Sequence, residues 1–490
     1  MNKYFRAISY NYVFLAISTL AFLILTPIAI RVMGEEMYGL WSMLNAILLF
    51  SGIGVLGMGT VVNKFASEGG NNALPINSIL SAAFLILLPM SGLVALILFL
   101  GRGWIASQFG LGAGYQEQFS VAMIFTALSI IPQFLGRVPQ GYLLSQLRNK
   151  LARTIELGVN ISMLAGAVFI AYLTQSLIWM ALWAFIVQTI GMTILFAIVL
   201  PEVFFRWQVE VPALRRLLSF SGFSFLESLA ISLFQQFDRI LVGFLLGPAA
   251  AGVYSVGTSI ALRLPIIAGQ ATEVMLPYAS KTNSYNDHSV LLDIFRVLSK
   301  IIGILIGAIA AILILWMDII LSLWISPEYA EKYSGVFRIL VIAYFILSST
   351  RTAHQTLTGM GKVKYTSLVY LATTIFMLFT VYIFSNRYGL LGAAIANLSM
   401  LGLVLMNFNA YKLLTRAPLV KSILLDYCTG IIFLLIALLI TVLDLPLSAK
   451  IVSSLLIIFL MGYKIMHDKK IIIYLKKILP VFQQLKIIDD

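Results

Sequence analysis

The sequence predicts an all-α protein that crosses a membrane about fourteen times, and three observations support this fold class. Hydrophobic residues make up 60% of the 490 residues and charged residues only 11%, which is more apolar surface than a soluble fold can bury. Apolar runs of the length that crosses a bilayer, about 20 residues, recur along the chain. Because lipid offers no partners to backbone N–H and C=O groups, such runs must be helices.

The predicted spans follow one another with short loops. The first begins after a basic N-terminus with Lys3 and Arg6, and its apolar run is too long for a signal peptide, so we expect an uncleaved span. Several spans contain proline, glycine or polar residues, which is more typical of transporters than of simple anchors. The predicted spans are 8–30, 39–62, 77–100, 118–142, 154–173, 178–200, 219–246, 252–277, 300–325, 336–359, 366–386, 390–411, 426–444 and 449–466.

The distribution of basic residues predicts the orientation. With the N-terminus in the cytoplasm, 23 of the 33 lysines and arginines fall on the inside and 6 on the outside, and the remaining four lie in the membrane. This asymmetry follows the positive-inside rule and places both termini in the cytoplasm. The net charge of +13 therefore needs no nucleic acid partner and is attracted to anionic membrane lipids. The lysines of the tail 467–490 alternate with apolar residues, which favours an amphipathic helix on the inner leaflet.

The residue types that carry most enzyme chemistry are sparse. The single cysteine, Cys428, excludes a disulfide framework, and three histidines far apart in sequence give no metal-ligand spacing. We find no Ser/His/Asp set, glycine-rich phosphate loop or paired carboxylates, so we expect neither an enzyme nor a bound metal or cofactor.

Two segments 214 residues apart resemble each other, and each has an arginine in the middle of an apolar span. The arginines are Arg137 and Arg351. The aligned pairs that follow are Leu143 with Leu357, Arg148 with Lys362, and Lys150 with Lys364. Chance similarity between apolar segments is the alternative, and a second match at nearly the same shift argues against it.

The second match, at a shift of 213, is a turn with the pattern glycine, four residues, glycine, aliphatic, aromatic, serine. It occurs at 34–42 and again at 247–255. Together the matches predict two six-span lobes, 1–205 and 215–415, followed by two additional helices in 426–466. The shift spans an even number of helices, so the lobes are parallel repeats, and in such transporters the ligand site lies at the repeat interface.

Three stretches carry a resemblance to a known family. They are the turn 34–39, the run Phe237-Asp238-Arg239 continuing to Gly247, and the glycine- and alanine-rich run 388–396. The chain resembles the Wzx-type polysaccharide flippases of the multidrug/oligosaccharidyl-lipid/polysaccharide exporter superfamily. The resemblance implies two pseudo-symmetric, MATE-like bundles around a central cavity, and export of undecaprenyl-diphosphate-linked oligosaccharides. One departure is that the family often has an acidic residue before the glycines of the second span, where this chain has Ser51.

Four arginines inside the predicted spans are the candidate substrate-binding residues. A guanidinium in the membrane costs about 2.5–3.5 kcal/mol on insertion scales, so its presence suggests a use. The planar group forms paired hydrogen bonds with phosphate oxygens and stays charged, which suits a diphosphate. The four candidates are Arg137, Arg239, Arg263 and Arg351.

Each candidate also has a structural interpretation. Arg137 lies close enough to the predicted cytoplasmic end to reach lipid phosphate, and Arg239 is equally consistent with an ion pair to another helix. A second set of residues either carries coupling protons or Na⁺ or neutralises the arginines. This set comprises Asp238, Glu227, Glu273 and His354.

The expected function is export of a lipid-linked oligosaccharide, such as an O-antigen or capsule repeat unit, across a bacterial inner membrane. Expected partners are that substrate, membrane lipids, a proton or Na⁺, and a polymerase or export machinery. A cation-coupled multidrug antiporter of the same superfamily is the nearest alternative, although a site for lipophilic cations favours carboxylates over arginines. A membrane polysaccharide polymerase is a further alternative, and it normally needs a larger external loop than this chain offers.

Overall fold

The computed structural model describes residues 3–55, 57–67, 74–273, 275–276, 279–280, 288–415, 419–468 and 471–472. Within these ranges the chain is helical apart from short turns, and no strand occurs among them. The predicted all-α fold class is therefore confirmed. The basic tail predicted to lie on the inner leaflet falls largely outside the described residues.

Among the described residues up to Thr272 the structure has eleven helices, and two short irregular segments interrupt them. The irregular segments are a 3₁₀ turn at Gly52–Val55 and a π turn at Leu233–Phe237. The helices are α1 (Lys3–Ser51), α2 (Met58–Ser67), α3 (Ile76–Gln108), α4 (Ala113–Leu135), α5 (Arg137–Ser145), α6 (Asn149–Thr174), α7 (Leu177–Glu202), α8 (Val211–Ser232), α9 (Asp238–Leu246), α10 (Pro248–Ala261) and α11 (Arg263–Thr272).

The longer helices of the second part are joined by brief connections. A 3₁₀ segment, Asn397–Val404, separates two of them. The helices are α12 (His288–Trp324), α13 (Pro327–Ser349), α14 (Arg351–Gly359), α15 (Val363–Ala396), α16 (Leu405–Leu414), α17 (Leu419–Val442) and α18 (Leu447–His467).

The predicted number of crossings agrees with these helices. Eleven helical stretches in the described ranges are long and apolar enough to span a membrane. Two of them contain a sharp internal turn, at Gly34 (φ 74°) and at Gly389 (φ 58°), and so form two crossings each. The interrupted stretch of α8, the π turn and α9 adds one more, which gives fourteen crossings within the described ranges, the number that the sequence predicts.

The chain divides into two compact units, Met1–Val253 and Tyr254–Asp490. The boundary falls inside α10, later than the predicted gap between the lobes 1–205 and 215–415. In the first unit α9 packs against α1. The predicted lobes are defined by sequence similarity, whereas the two compact units are defined by packing. The lobes therefore stay a prediction.

Glycines allow close helix contacts in the first unit. A Cβ added to Gly141 of α5 would lie 2.5 Å from the carbonyl oxygen of Gly59 in α2. A Cβ added to Gly39 would lie 1.8 Å from the carbonyl oxygen of Pro248, and one added to Gly252 would lie 3.0 Å from the Cα of Gly39. The two copies of the repeated glycine turn therefore pack directly on each other.

The second unit is built around α12, which packs against α13, α17 and α18. Gly303 and Gly307 of α12 face Gly430 of α17, and a Cβ at Gly307 would lie 2.4 Å from the Cα of Gly430. Small residues spaced four apart let membrane helices approach this closely, because apolar burial alone does not hold helices together in lipid.

Candidate functional site

All four candidate arginines stand at or next to the start of a helical segment that follows a local interruption, at which the backbone keeps right-handed helical angles. Arg137 begins α5, Arg263 begins α11 and Arg351 begins α14, while Arg239 is the second residue of α9, after the π turn. The sequence predicts that these residues lie within membrane spans but does not predict that each follows a break. Irregular turns inside helices occur frequently at functional sites.

Proline causes two of the breaks. Pro139 and Pro265 each lie two positions after the arginine, and each lacks the N–H that would bond to the carbonyl four residues earlier. Those carbonyls belong to Leu135 and Ala261, which are the last residues of α4 and α10. The spacing arginine, any residue, proline was visible in the sequence and could have located both breaks.

The break before Arg351 has another cause. Three consecutive hydroxyl side chains at the end of α13 donate hydrogen bonds back to carbonyls of their own helix, and such bonds bend helices. The bonds are Ser348 Oγ to Tyr344 O at 2.7 Å, Ser349 Oγ to Ile346 O at 2.7 Å and Thr350 Oγ1 to Leu347 O at 2.8 Å.

The sequence repeat is present in the backbone of α5 and α14. Both helices have nine residues, and their bounds differ by the predicted shift of 214. Two residues after each helix ends, the chain has a residue in the left-handed region, Leu147 (φ 57°) and Gly361 (φ 77°). The following N–H then bonds to a carbonyl five residues back, from Arg148 at 2.9 Å and from Lys362 at 2.8 Å. The two arginine-bearing segments therefore share one local structure.

Arg137 belongs to a chain of polar contacts that contains one carboxylate. Its Nη1 donates to Gln140 Oε1 at 2.9 Å, and Gln140 Nε2 donates to Glu156 Oε2 at 3.4 Å. The same carboxylate oxygen pairs with Arg153 at 2.8 Å. The cluster contains two arginines and one acid, which pairs directly with Arg153 only, so it keeps a net positive charge.

Asp238 and Arg239 are placed differently although they are neighbours in sequence. The Asp238 side chain is buried, and its Oδ1 accepts a hydrogen bond from the backbone N–H of Arg239 at 2.8 Å. Arg239 Nε is buried and has no hydrogen-bond partner within the described part of the chain. One oxygen of the Asp238 carboxylate is therefore held by the backbone within the first turn of α9.

The second unit brings together the helices of Arg263 and Arg351, since α11 packs against α14. Arg263 and Arg351 are both partly buried, and Arg351 Nε has no hydrogen-bond partner among the described residues. His354 lies one turn along α14 with its ring edge-on to Tyr370, the centroids being 5.4 Å apart.

Other protein groups only partly compensate the charged and polar side chains beside the interruptions. Among the residues that the structure describes, no carboxylate forms a salt bridge with Arg137, Arg239 or Arg351. Buried side-chain oxygens without a partner there include those of Gln133 and Gln236, which lie beside the interruptions. A buried polar atom without a partner costs about 1–3 kcal/mol, so these groups are stabilised when water or a ligand bonds to them.

The structure describes the side chain of one of the two predicted glutamates. The side chain of Glu227 lies outside the described residues. Glu273 follows the end of α11 and is exposed. No group of three or more metal-ligating side chains occurs in the described ranges.

Known structures share this fold. The chain is similar to the lipid II flippase MurJ in an inward closed conformation, with a TM-score of 0.71 and 14% identity over 93% of this chain and 99% of that one. It is also similar to an inward-facing multidrug resistance transporter of the MATE family in the MOP superfamily, with a TM-score of 0.61 and 15% identity over 85% and 95% of the two chains. At these identities the likeness shows the fold alone.

Sequence comparison adds the family. A Shigella flexneri protein described as an O-antigen transporter is 25% identical over 187 residues, which are 37% of this chain and 43% of that protein. The family model for polysaccharide biosynthesis proteins matches residues 28–334, more than half of the chain. The chain therefore belongs to the polysaccharide biosynthesis protein family.

Proposed function

We propose that this protein is a flippase that moves an undecaprenyl-diphosphate-linked oligosaccharide from the cytoplasmic to the outer leaflet of a bacterial inner membrane. The observation that carries the proposal is the placement of four arginines, each at or next to the start of a helical segment that follows a local interruption in an apolar helix. The Shigella flexneri relative described as an O-antigen transporter supports the same substrate class.

The proposed chemistry is electrostatic binding of the diphosphate. A guanidinium offers several N–H donors in a fixed plane and remains charged, so it can replace the water and counterions that a diphosphate loses on leaving the headgroup layer. Arg351 and Arg239 each keep a buried Nε donor without a partner in the described part of the chain, which leaves donors for phosphate oxygens. Arg263 and Arg137 are the other two proposed binding residues.

Transport in this proposal is by alternating access, with both termini in the cytoplasm and the lipid tail remaining in the bilayer. The groups proposed to couple transport to a proton or Na⁺, or to balance the arginine charge, are Asp238, Glu227, Glu273 and His354. Asp238 and His354 are buried, which favours a response to proton or cation binding over a solvated surface role.

A multidrug antiporter is the second candidate, and one observation favours it. The buried carboxylate of Asp238 is a group that could attract a lipophilic cation. Cells that lack the protein distinguish the two functions. We expect them to lose surface polysaccharide with unchanged drug sensitivity, and increased drug sensitivity with normal surface polysaccharide would instead favour the antiporter.

Substitution of two arginines tests the proposed diphosphate binding. Arg263→Ala and Arg351→Ala should each reduce surface glycan at equal protein abundance by about tenfold or more, since a charge-assisted bond contributes about 1.5–3 kcal/mol. The corresponding lysine variants should retain part of the export, because they keep the charge and lose the planar geometry. The control is Arg387→Ala, which removes an exposed arginine of α15. Normal export in both alanine variants would remove the proposed role from these arginines.

A further inference from the structure

The carbonyl at the end of α13 accepts hydrogen bonds from two other helices. Asn407 Nδ2 of α16 donates to Ser349 O at 3.2 Å, and the Tyr427 hydroxyl of α17 donates to the same oxygen at 2.6 Å. All three residues are buried. Ser349 is the last residue of α13, and the final carbonyls of a helix need such partners.

The residue that accepts these two hydrogen bonds, Ser349, lies two positions before Arg351. Thr350 connects the end of α13 to Arg351, the first residue of α14, so the position of the Ser349 carbonyl limits the direction in which α14 leaves the break. Because the site is buried, water does not readily replace the two donors. The contacts thus hold the backbone from which the Arg351 side chain extends.

Glycine in α12 allows Tyr427 to reach this carbonyl. A Cβ added to Gly303 would lie 3.1 Å from the Cα of Tyr427 and 2.9 Å from the carbonyl oxygen of Asp426. The Tyr411 hydroxyl of α16 donates to the Asp426 carboxylate, which joins α16 and α17 beside the two donors. The start of α17 is therefore fixed from two sides.

The repeat shows that this support is specific to the second half. At the shift of 214, Ser349 corresponds to Leu135, the last residue of α4 before the break that precedes Arg137. No side chain in the described ranges donates a hydrogen bond to the Leu135 carbonyl. Tyr427 comes from α17, which lies after the two repeated segments, so the added helix supplies a contact that the first half does not have.

We infer that Tyr427 and Asn407 are positioning residues that orient Arg351, and that α17 takes part in substrate binding through this contact. The inference rests on the proposed role of Arg351 in binding the diphosphate. Neither side chain needs to touch the substrate, because the effect passes through the Ser349 carbonyl.

A binding experiment tests the link to Arg351. The probe is undecaprenyl diphosphate, and the protein is the purified full-length chain in detergent. Tyr427→Phe removes one buried hydrogen bond and should weaken binding about fivefold, whereas in an Arg351→Ala background it should cause no further loss. An equal loss in both backgrounds would overturn the inference, because it would indicate a general structural role.

The matched control is Tyr254→Phe. Tyr254 is also buried in the second unit, and its hydroxyl accepts a hydrogen bond from Asn397 Nδ2, a bond that does not involve the Ser349 carbonyl. This variant should bind the probe as the parent does. Weakening equal to that of Tyr427→Phe would overturn the inference, since it would mean that any lost buried bond has this effect.

A spin label separates the positioning role from the binding role. Cys428 is the single cysteine, so Cys428→Ser gives a background in which Arg351→Cys can carry a nitroxide. Tyr427→Phe should change the mobility of this label and Tyr254→Phe should not, and an unchanged spectrum with Tyr427→Phe would overturn the inference. If Tyr427→Phe changes the spectrum of the label, Tyr427 positions residue 351. If Arg351→Ala at the same time binds the probe normally, the proposed role of Arg351 in diphosphate binding is contradicted.

Discussion

At the scale of single residues, the arginines divide by whether a carboxylate compensates their charge. Arg338 Nη2 lies 2.6 Å from Asp318 Oδ1, and Arg148 Nη1 lies 2.5 Å from Glu202 Oε2. Arg351 has no such pair in the part of the chain that the structure describes. Pairing consumes the donors of Arg338 and Arg148, so Arg351 is better suited than these two residues to bind an anionic ligand.

The first prediction concerns Asp318, which joins three helices of the second unit. Its Oδ1 pairs with Arg338 of α13 and its Oδ2 lies 2.8 Å from Lys450 Nζ of α18. Asp318→Asn leaves two cations without their acid, so we expect the free energy of unfolding to fall by about 1–3 kcal/mol. Lys450→Met should cost less, because Asp318 keeps Arg338. Thermal unfolding of the purified protein measures both, and a larger loss for Lys450→Met would contradict this account.

Sequence reasoning found the arginines but not the residues that orient them. Arginine in an apolar span is a local signal, because the cost of the charge is visible in the neighbouring residues. The donors to the Ser349 carbonyl are 58 and 78 residues further along the chain. Asn407 and Tyr427 have no local pattern that connects them to Ser349, so only the three-dimensional structure identifies this contact.

At the scale of helices, the spans were predictable because lipid imposes both length and polarity on them. The sequence also predicts the turns at Gly34 and Gly247, and both glycines adopt positive φ, 74° and 89°, a conformation that favours glycine. The breaks within crossings were not located. Proline gives a local signal for two of them, whereas the π turn at Leu233–Phe237 contains no proline or glycine that would mark it.

The second prediction concerns the proline break before α11. Pro265→Ala restores an N–H that can bond to the Ala261 carbonyl, so α10 and α11 should become one straighter helix. We expect the reorientation of Arg263 to reduce export severalfold at equal protein abundance. The control is Pro89→Ala, since α3 continues through Pro89 without a break. Normal export with Pro265→Ala would mean that the interruption is not required.

The third prediction tests the contact between α12 and α17. A Cβ at Gly430 would lie 2.0 Å from the backbone oxygen of Gly303, so Gly430→Ala must separate the helices and should lower the free energy of unfolding by about 1–3 kcal/mol. Gly462 of α18 has nothing within 4 Å of its added Cβ, and Gly462→Ala should leave stability unchanged or raise it by up to about 1 kcal/mol. Equal effects in the two variants would show that close packing at Gly430 is not the cause.

At the scale of the whole molecule, the two arginine-bearing helices and the two glycine turns match each other. Duplication of one ancestral segment explains these matches better than independent convergence of short motifs does. The helices α5 and α14 agree in length, position and final turn, and two glycine turns agree in backbone conformation. The sequence revealed this repeat because arginine and glycine are uncommon enough in apolar segments to align. Which helices pack into one unit was less predictable, since contacts between distant segments decide it.

The fourth prediction concerns orientation, on which the direction of transport depends. The chain between Gly112 and Gln146 crosses the membrane once, through α4 and α5, and both end residues are exposed. Basic loops predict that Gly112 faces outward and Gln146 inward. In a Cys428→Ser background, Gly112→Cys should react with an impermeant maleimide in intact cells, whereas Gln146→Cys should react only after permeabilisation. Because the two positions lie at opposite ends of one crossing, exactly one of them should be labelled from outside, and each serves as the control for the other. The reverse labelling pattern would mean that the protein has the opposite orientation in the membrane. The loop that follows Arg137 would then lie at the outer surface, which contradicts loading of substrate from the cytoplasmic leaflet.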